Sequence, residues 1–182
     1  MSQTLETLLD AAESDIRLRG YHAVSFRELA DEIGIKSSSV HYYFRQKEDL
    51  GLALVERYRE RFFSALEKLT SRAETPEERL GAFVALYRQA LVGSDRICLC
   101  VMLGVESRGL PSALAKAVAA FFEANIGWLV NAMPASMPAD ERQSRAIHIV
   151  GTLQGAMLLA SALGDHAIFD AAAQDLMADR AA

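Results

Sequence analysis

The stretch VSFRELADEIGIKSSSVHYYFRQKEDL, Val24–Leu50, decides how this chain is read. Ser25 and Glu28 have the spacing of a capping box, in which the hydroxyl takes an amide of the first turn and the carboxylate reaches back. Phe26, Leu29, Ala30 and Ile33 then recur at i, i+3, i+4 and i+7, one face of a helix. Gly34 allows a sharp exit. A second, short helix is expected over Ser37–Tyr43, with Ser37 as its N-cap. Its Val40 and Phe44 turn inward as i, i+4 neighbours, which leaves Ser38, His41 and Tyr42 outside. Two helices joined by a tight glycine turn form a helix-turn-helix pattern, whose second helix lies in a DNA major groove.

Charge supports that reading. The formal net charge is −5. Residues 1–32 hold seven acids against Arg17, Arg19 and Arg27, whereas residues 33–47 hold Lys36, Arg45 and Lys47 and no acid. A surface that meets a polyanion should be stripped of acids in this way, and serine, tyrosine and histidine donate to phosphates and base edges. A rival reading makes the exposed tyrosines a protein-docking surface, with no DNA involved.

Outward from this stretch, nearly every segment has helical periodicity. A first helix is expected from Thr4 to Arg19, ended by Gly20. A long one should start near Lys47 and reach Ser71, followed by helices near 76–92, 96–107, 111–133, 139–163 and 165–180. The fold class is therefore all-α, with about nine helices. A length of 182 residues, half of them hydrophobic, supplies a packed core and excludes a disordered chain. Residues Met1–Asp10 carry acids and no basic run, so no signal peptide is expected. Ala146–Leu163 has nearly the length of a membrane span, but His148, Thr152 and Gln154 within it favour a helix buried in a bundle, and no membrane partner. Cys98 and Cys100, two apart, make no disulfide framework; the cytoplasm is the expected location.

The order of residues adds a family. Val24-Ser25-Phe26-Arg27-Glu28-Leu29-Ala30, Ile33-Gly34-Ile35, Ser39-Val40-His41-Tyr42-Tyr43-Phe44 and Lys47-Glu48-Asp49-Leu50 together resemble the N-terminal domain of TetR/AcrR bacterial transcriptional regulators. The resemblance implies a helix-turn-helix DNA-binding domain over 1–47 and an effector-binding and dimerisation domain over 48–182. It implies a homodimeric repressor on a palindromic operator, released by a small-molecule effector. Expected DNA contacts are Ser25 and Arg27 at one helix start, where amides and dipole favour phosphate, and Lys47 at another. Lys36, Ser37 and Ser38 enter the groove first, and His41 and Tyr42 lie along its wall. A surface bridge to Asp31 competes for Arg27. The chain departs from the family pattern in three ways: His41 stands where tyrosine is usual, Gln46 is a poor helix cap, and no basic arm precedes the first helix.

The remaining two thirds show no nucleotide-binding glycine loop, no metal-ligand spacing and no catalytic arrangement, so neither an enzyme nor a cofactor is expected. The family implies a helical effector pocket. Large or polar residues on apolar helices are its candidates: Phe62, Phe83, Tyr87, Cys100, Met102, Phe121, Asn125, Trp128, His148 and Gln154. Asn125 and Gln154 are the most informative, since buried amides need partners. The cysteines pack as small hydrophobes or, alternatively, sense oxidants or electrophiles, a role for which Arg96 would lower a thiol pKa. For the dimer, small residues Gly151 and Gly155 with Val150, Leu153 and Leu158, and the stripe of Phe169 and Leu176, are expected to pair with their symmetry mates in a four-helix bundle.

Overall fold

The computed structural model describes residues 3–94 and 97–178. Nine helices and no strand occur among the described residues: α1 Gln3–Arg19, α2 Phe26–Glu32, α3 Ser37–Tyr43, α4 Lys47–Thr70, α5 Pro76–Ser94, α6 Leu99–Val105, α7 Ser112–Ala132, α8 Ala139–Leu163 and α9 Ala167–Ala178. The chain forms two compact units, Met1–Arg59 with Leu99–Phe121, and Glu60–Cys98 with Phe122–Ala182. The division falls inside α4 and α7, and α6 joins the first unit.

Helix ends follow capping chemistry. Ser25 caps α2, its Oγ accepting from the Glu28 amide at 3.2 Å; this is the forward half of the expected box, and the Glu28 carboxylate lies 3.9 Å from Arg19 instead. A complete box occurs at α5, where the Glu78 amide donates to Thr75 Oγ1 at 3.2 Å and Glu78 Oε2 accepts from the amides of Glu74 and Thr75 at 2.7 and 3.2 Å. Those two amides hold the Glu78 carboxyl below its ordinary pKa. At α4 the weakness of Gln46 is made good by Asp49, whose Oδ2 accepts from the Gln46 amide at 3.0 Å. The expected N-cap of α3 is corrected: Lys36, extended at φ −74° and ψ 142°, holds that place, and Ser37 is already in the helix. The expected helix over 96–107 is shorter, because Ser107 and Gly109 make turn bonds to the carbonyls of Gly104 and Glu106.

In the first unit α1 packs on α2 and α6. Leu8, Leu9, Ala12 and Ile16 of α1, Leu29 and Ala30 of α2, Val40 of α3, Leu50 and Leu54 of α4, and Leu103 and Leu114 are buried together. Arg57 of α4 is 7% exposed, and its guanidinium meets three carboxylates on one face of α1: Asp10 at 2.9 Å, Glu13 at 2.8 Å and Glu6 at 3.3 Å. The three stand at i, i+4 and i+7, so one helical face presents them to one fork.

In the second unit α8 packs on α5 and α9, and α5 on α9. Phe83, Leu91, Leu129, Leu153 and Phe169 fill its core. By length and hydropathy α7 and α8 could each cross a membrane. One face of α8, with Ala146, Ile149, Val150, Leu153, Ala156, Met157 and Ala160, is buried in this unit. The other exposes Ile147, Gly151, Gly155, Leu158, Leu159 and Leu163. Gly164, at φ 64°, ends the helix in the left-handed conformation that favours glycine.

Arg57→Met strands three carboxylates against an apolar side chain. We expect a loss of about 2 kcal/mol of unfolding free energy in urea titration, below the roughly 3–5 kcal/mol of a fully buried pair because Glu6 and Asp10 remain solvated.

Candidate nucleic-acid interface and effector core

The face expected to read DNA is built by α2, α3 and their connection. The turn at Gly34 has φ 71°, and the Ile35 amide returns to the Ala30 carbonyl at 2.9 Å. Val40 at 0% and Phe44 at 7% exposure anchor α3 inward. Ser25, Arg27, Lys36, Ser37, Ser38, His41 and Tyr42 all stand exposed, Tyr42 at 84%. Thr4, Ile35, Ser38, Ser39, Tyr42 and Tyr43 line an open groove of about 500 Å³. The His41 ring packs edge-on to Phe26 at 5.0 Å, which sets its direction. Among the described residues Arg27 makes no bridge to Asp31, so the competing surface pair is not formed.

Lys47 is the exception on this face. Its Nζ donates to the His22 carbonyl at 3.2 Å and sits 4.5 Å from the centre of the Tyr21 ring. Burial pulls its ammonium pKa down, while Glu106 and Glu28 push it back up. The expected outward phosphate contact is therefore corrected: in this conformation Lys47 is bound to the connection between α1 and α2. Burial also raises the Tyr21 phenol, helped by the charge of Glu48.

The second unit brings six expected effector residues together. Phe83 stacks on Trp128 with centroids 5.4 Å apart and planes 14° off parallel. Phe62 meets Phe83 and Tyr87 edge-on at 6.0 and 5.6 Å. From this aromatic cluster Tyr87 extends a polar row: Gln154 Nε2 donates to Tyr87 Oη at 3.0 Å, and Tyr87 Oη donates to Asn125 Oδ1 at 3.2 Å. Asn125 is fully buried, which requires such a partner. Gln154 Oε1 is buried and accepts no hydrogen bond.

The other expected pocket residues lie elsewhere. His148 is exposed on α8, one position beyond the buried face. Cys100, Met102 and Phe121 belong to the first unit, where the Phe121 ring lies 5.6 Å from Tyr58. The second unit also holds a cavity of about 190 Å³, lined among others by Leu80, Leu129, Met133, Met137, Ile149 and Met177. None of the ten expected residues lines it; methionine-rich linings suit adaptable contacts. The interface set divides too. Gly151, Gly155 and Leu158 face outward, whereas Val150, Leu153, Phe169 and Leu176 are buried in the unit's own core. Their apolar stripe is consumed by packing between α5, α8 and α9. No group of three or more metal-ligating residues occurs among the described residues.

Residues 8–54 match the bacterial regulatory proteins of the tetR family. The fold extends the likeness to the whole chain. A TetR transcriptional regulator from Legionella pneumophila superposes with a TM-score of 0.91 at 27% identity, over 97% of this chain and 96% of that one. The chain is thus similar to TetR regulators, in sequence over residues 8–54 and in fold over nearly its whole length. Among curated relatives, the transcriptional regulator AcuR of Cereibacter sphaeroides is 30% identical over 109 residues, 58% of this chain and 50% of that protein. The fatty acid metabolism regulator protein of Bacillus subtilis is 23% identical over 57% of this chain and 53% of its own. The chain thus spans about half the length of the curated relatives it matches.

Periodicity and charge did not single out Tyr21, Arg57 or Glu106. The one available signal was that Glu106 is the only acid between Ile97 and Phe122. Ser25→Ala should cost about 1 kcal/mol through the lost cap on α2, and Ser25→Gly only a few tenths, read by denaturant unfolding.

Proposed function

We propose that the protein is a transcriptional regulator that binds double-stranded DNA as a homodimer and is released from a palindromic operator by a small-molecule effector. One observation carries the reading. Lys36, Ser37, Ser38, His41 and Tyr42 form an exposed face at the start of and along α3 whose own segment, 33–47, holds no acid in a chain of net charge −5, and Arg27 is exposed on α2. Its donors suit phosphates and base edges, and a second helix held by Val40 and Phe44 presents them as a unit. The similarity to transcriptional regulators over residues 8–54 and in fold supports a DNA-binding regulator rather than an enzyme.

The homodimer is supported by the exposed face of α8. A Cβ built on Gly151 or Gly155 meets nothing within 4 Å, so these glycines are not demanded by the protomer's own packing. Small residues amid Ile147, Leu158, Leu159 and Leu163 permit close approach of a second helix. The effector reading rests on the polar row Gln154–Tyr87–Asn125 beside an aromatic cluster, with Gln154 Oε1 left for a donor on the effector. The thiol-sensing alternative is disfavoured, because Cys98 and Cys100 are 2% and 0% exposed, and sensing requires access. Arg96, invoked for it, lies outside the described residues.

Electrophoretic retardation of the DNA flanking the protein's own gene tests the reading; the protein-docking alternative predicts no retardation. Lys36→Ala and Arg27→Ala should each weaken binding and reduce the slope of log K against log salt by about one unit. Lys47→Ala should change that slope less, since its ammonium is engaged within the protein. Tyr42→Ala should alter preference among operator variants.

Gly155→Leu should leave helical content intact and yield a monomer in sedimentation, with operator binding at least about ten-fold weaker, or about 1.4 kcal/mol. Phe169→Asp should instead unfold the second unit, because Phe169 is fully buried.

A further inference from the structure

The segment Leu103–Pro111 plays no part in the DNA face or the effector core, yet it makes a long-range contact in the first unit. Glu106 follows α6, and its Oε2 accepts a hydrogen bond from the Tyr21 amide at 2.6 Å across 85 positions of sequence. Tyr21 belongs to the connection between α1 and α2. Gly20 beside it has φ 86°, and a Cβ added there would lie 2.7 Å from Glu106 Oε1. The carboxylate therefore occupies the space that any other residue at position 20 would fill. The same turn packs again at Gly109, where an added Cβ would stand 3.0 Å from His22 Nε2.

This connection supports the start of two helices. The Val24 amide returns to the Tyr21 carbonyl at 3.3 Å, and Ser25, the cap of α2, follows directly. Lys47, at the start of α4, binds the His22 carbonyl and covers the Tyr21 ring. A charge-assisted acceptor on a part-buried amide is among the stronger hydrogen bonds available here. Its loss leaves a donor without a partner at the point from which both helices are set.

We propose that Glu106 is a positioning residue for DNA binding: by holding the Tyr21 amide it fixes the α1–α2 connection, and with it the N-terminus of α2 and the side chain of Lys47. The proposal rests on the DNA-binding reading above. Glu106 touches no DNA-facing side chain of α3 and acts through the backbone of Gly20–His22.

Three variants test it: Glu106→Met, which removes the acceptor at similar length; Glu106→Gln, which keeps an acceptor oxygen without the charge; and Gly20→Ala, which attacks the contact from the other side. Each is compared with the parent for Tyr21 amide hydrogen exchange, for helical content, and for affinity to a duplex that the parent selects from a random-sequence pool. Glu106→Met and Gly20→Ala should keep their helical content, exchange the Tyr21 amide about ten-fold faster and bind the duplex about ten-fold more weakly. Glu106→Gln should stay near the parent in both measures. Parent-like affinity of Glu106→Met overturns the proposal, as does a Glu106→Gln no better than Glu106→Met. Should Glu106→Met fail to fold, parent-like affinity of Gly20→Ala overturns it in turn. If the parent selects no duplex at all, the regulator reading itself falls, an outcome distinct from a parent that binds while its variants bind equally.

Discussion

Glu6, Asp10 and Glu13 of α1 converge on the buried guanidinium of Arg57, and the charge layout of the first unit depends on that contact. The N-terminal segment is acidic, with seven carboxylates in 32 residues, and it belongs to the unit that presents the basic face. Left unpaired, those charges would repel a polyanion. Arg57 takes three of them, and Arg19 bridges Asp15 and lies 3.9 Å from Glu28. Asp31 and Glu32 stay exposed at the end of α2, whereas Arg27, Lys36 and Arg45 and the serines of α3 form the basic and neutral side of the unit. Local pairing within the unit thus lets a chain of net charge −5 carry a surface suited to DNA.

The two units use buried polarity differently. In the first, Arg57 and Glu106 tie helices to one another through charged groups whose partners are close in space and far apart in sequence. In the second, the polar row is neutral, Gln154 to Tyr87 to Asn125, and its Tyr87 ring packs against Phe62 and Phe83. A charged network fixes geometry, because removing one partner strands another. A neutral row with an open acceptor can be completed by a ligand at much lower desolvation cost. On the proposed reading this difference matches the tasks: a fixed surface for the operator and an adaptable interior for the effector.

Local chemistry was legible in the sequence, and long-range pairing was not. The Ser25 cap, the inward anchors Val40 and Phe44, the turn at Gly34 and the outward Ser38, His41 and Tyr42 all follow from spacings within about seven residues, and the structure shows each of them. The hydroxyl–carboxylate box at Thr75 and Glu78 has the same local grammar and was equally readable. The inward turn of Lys47 depends on Tyr21 and His22, which no local period connects to it. Helix α8 misled for a further reason. It is apolar on both faces, so periodicity could not say which side packs within the protomer; the structure buries Val150 and Leu153 and leaves Gly151 and Gly155 outside. His148, next to the buried Ile149, falls on the outer side for the same reason. Phe169 and Leu176 were assigned to the interface because their stripe is apolar, yet packing against α5 and α8 already accounts for it.

The central claim is that one face, from Ser25 to Tyr42, meets DNA. Amide hydrogen exchange of the parent chain, measured with and without a duplex that it retards, tests this most directly. The account predicts that bound DNA slows exchange over the start of α2 and over α3, while the amides of α5 and α7 keep their free rates. Protection confined to other helices, or no change over α2 and α3 when the duplex is bound, would contradict it.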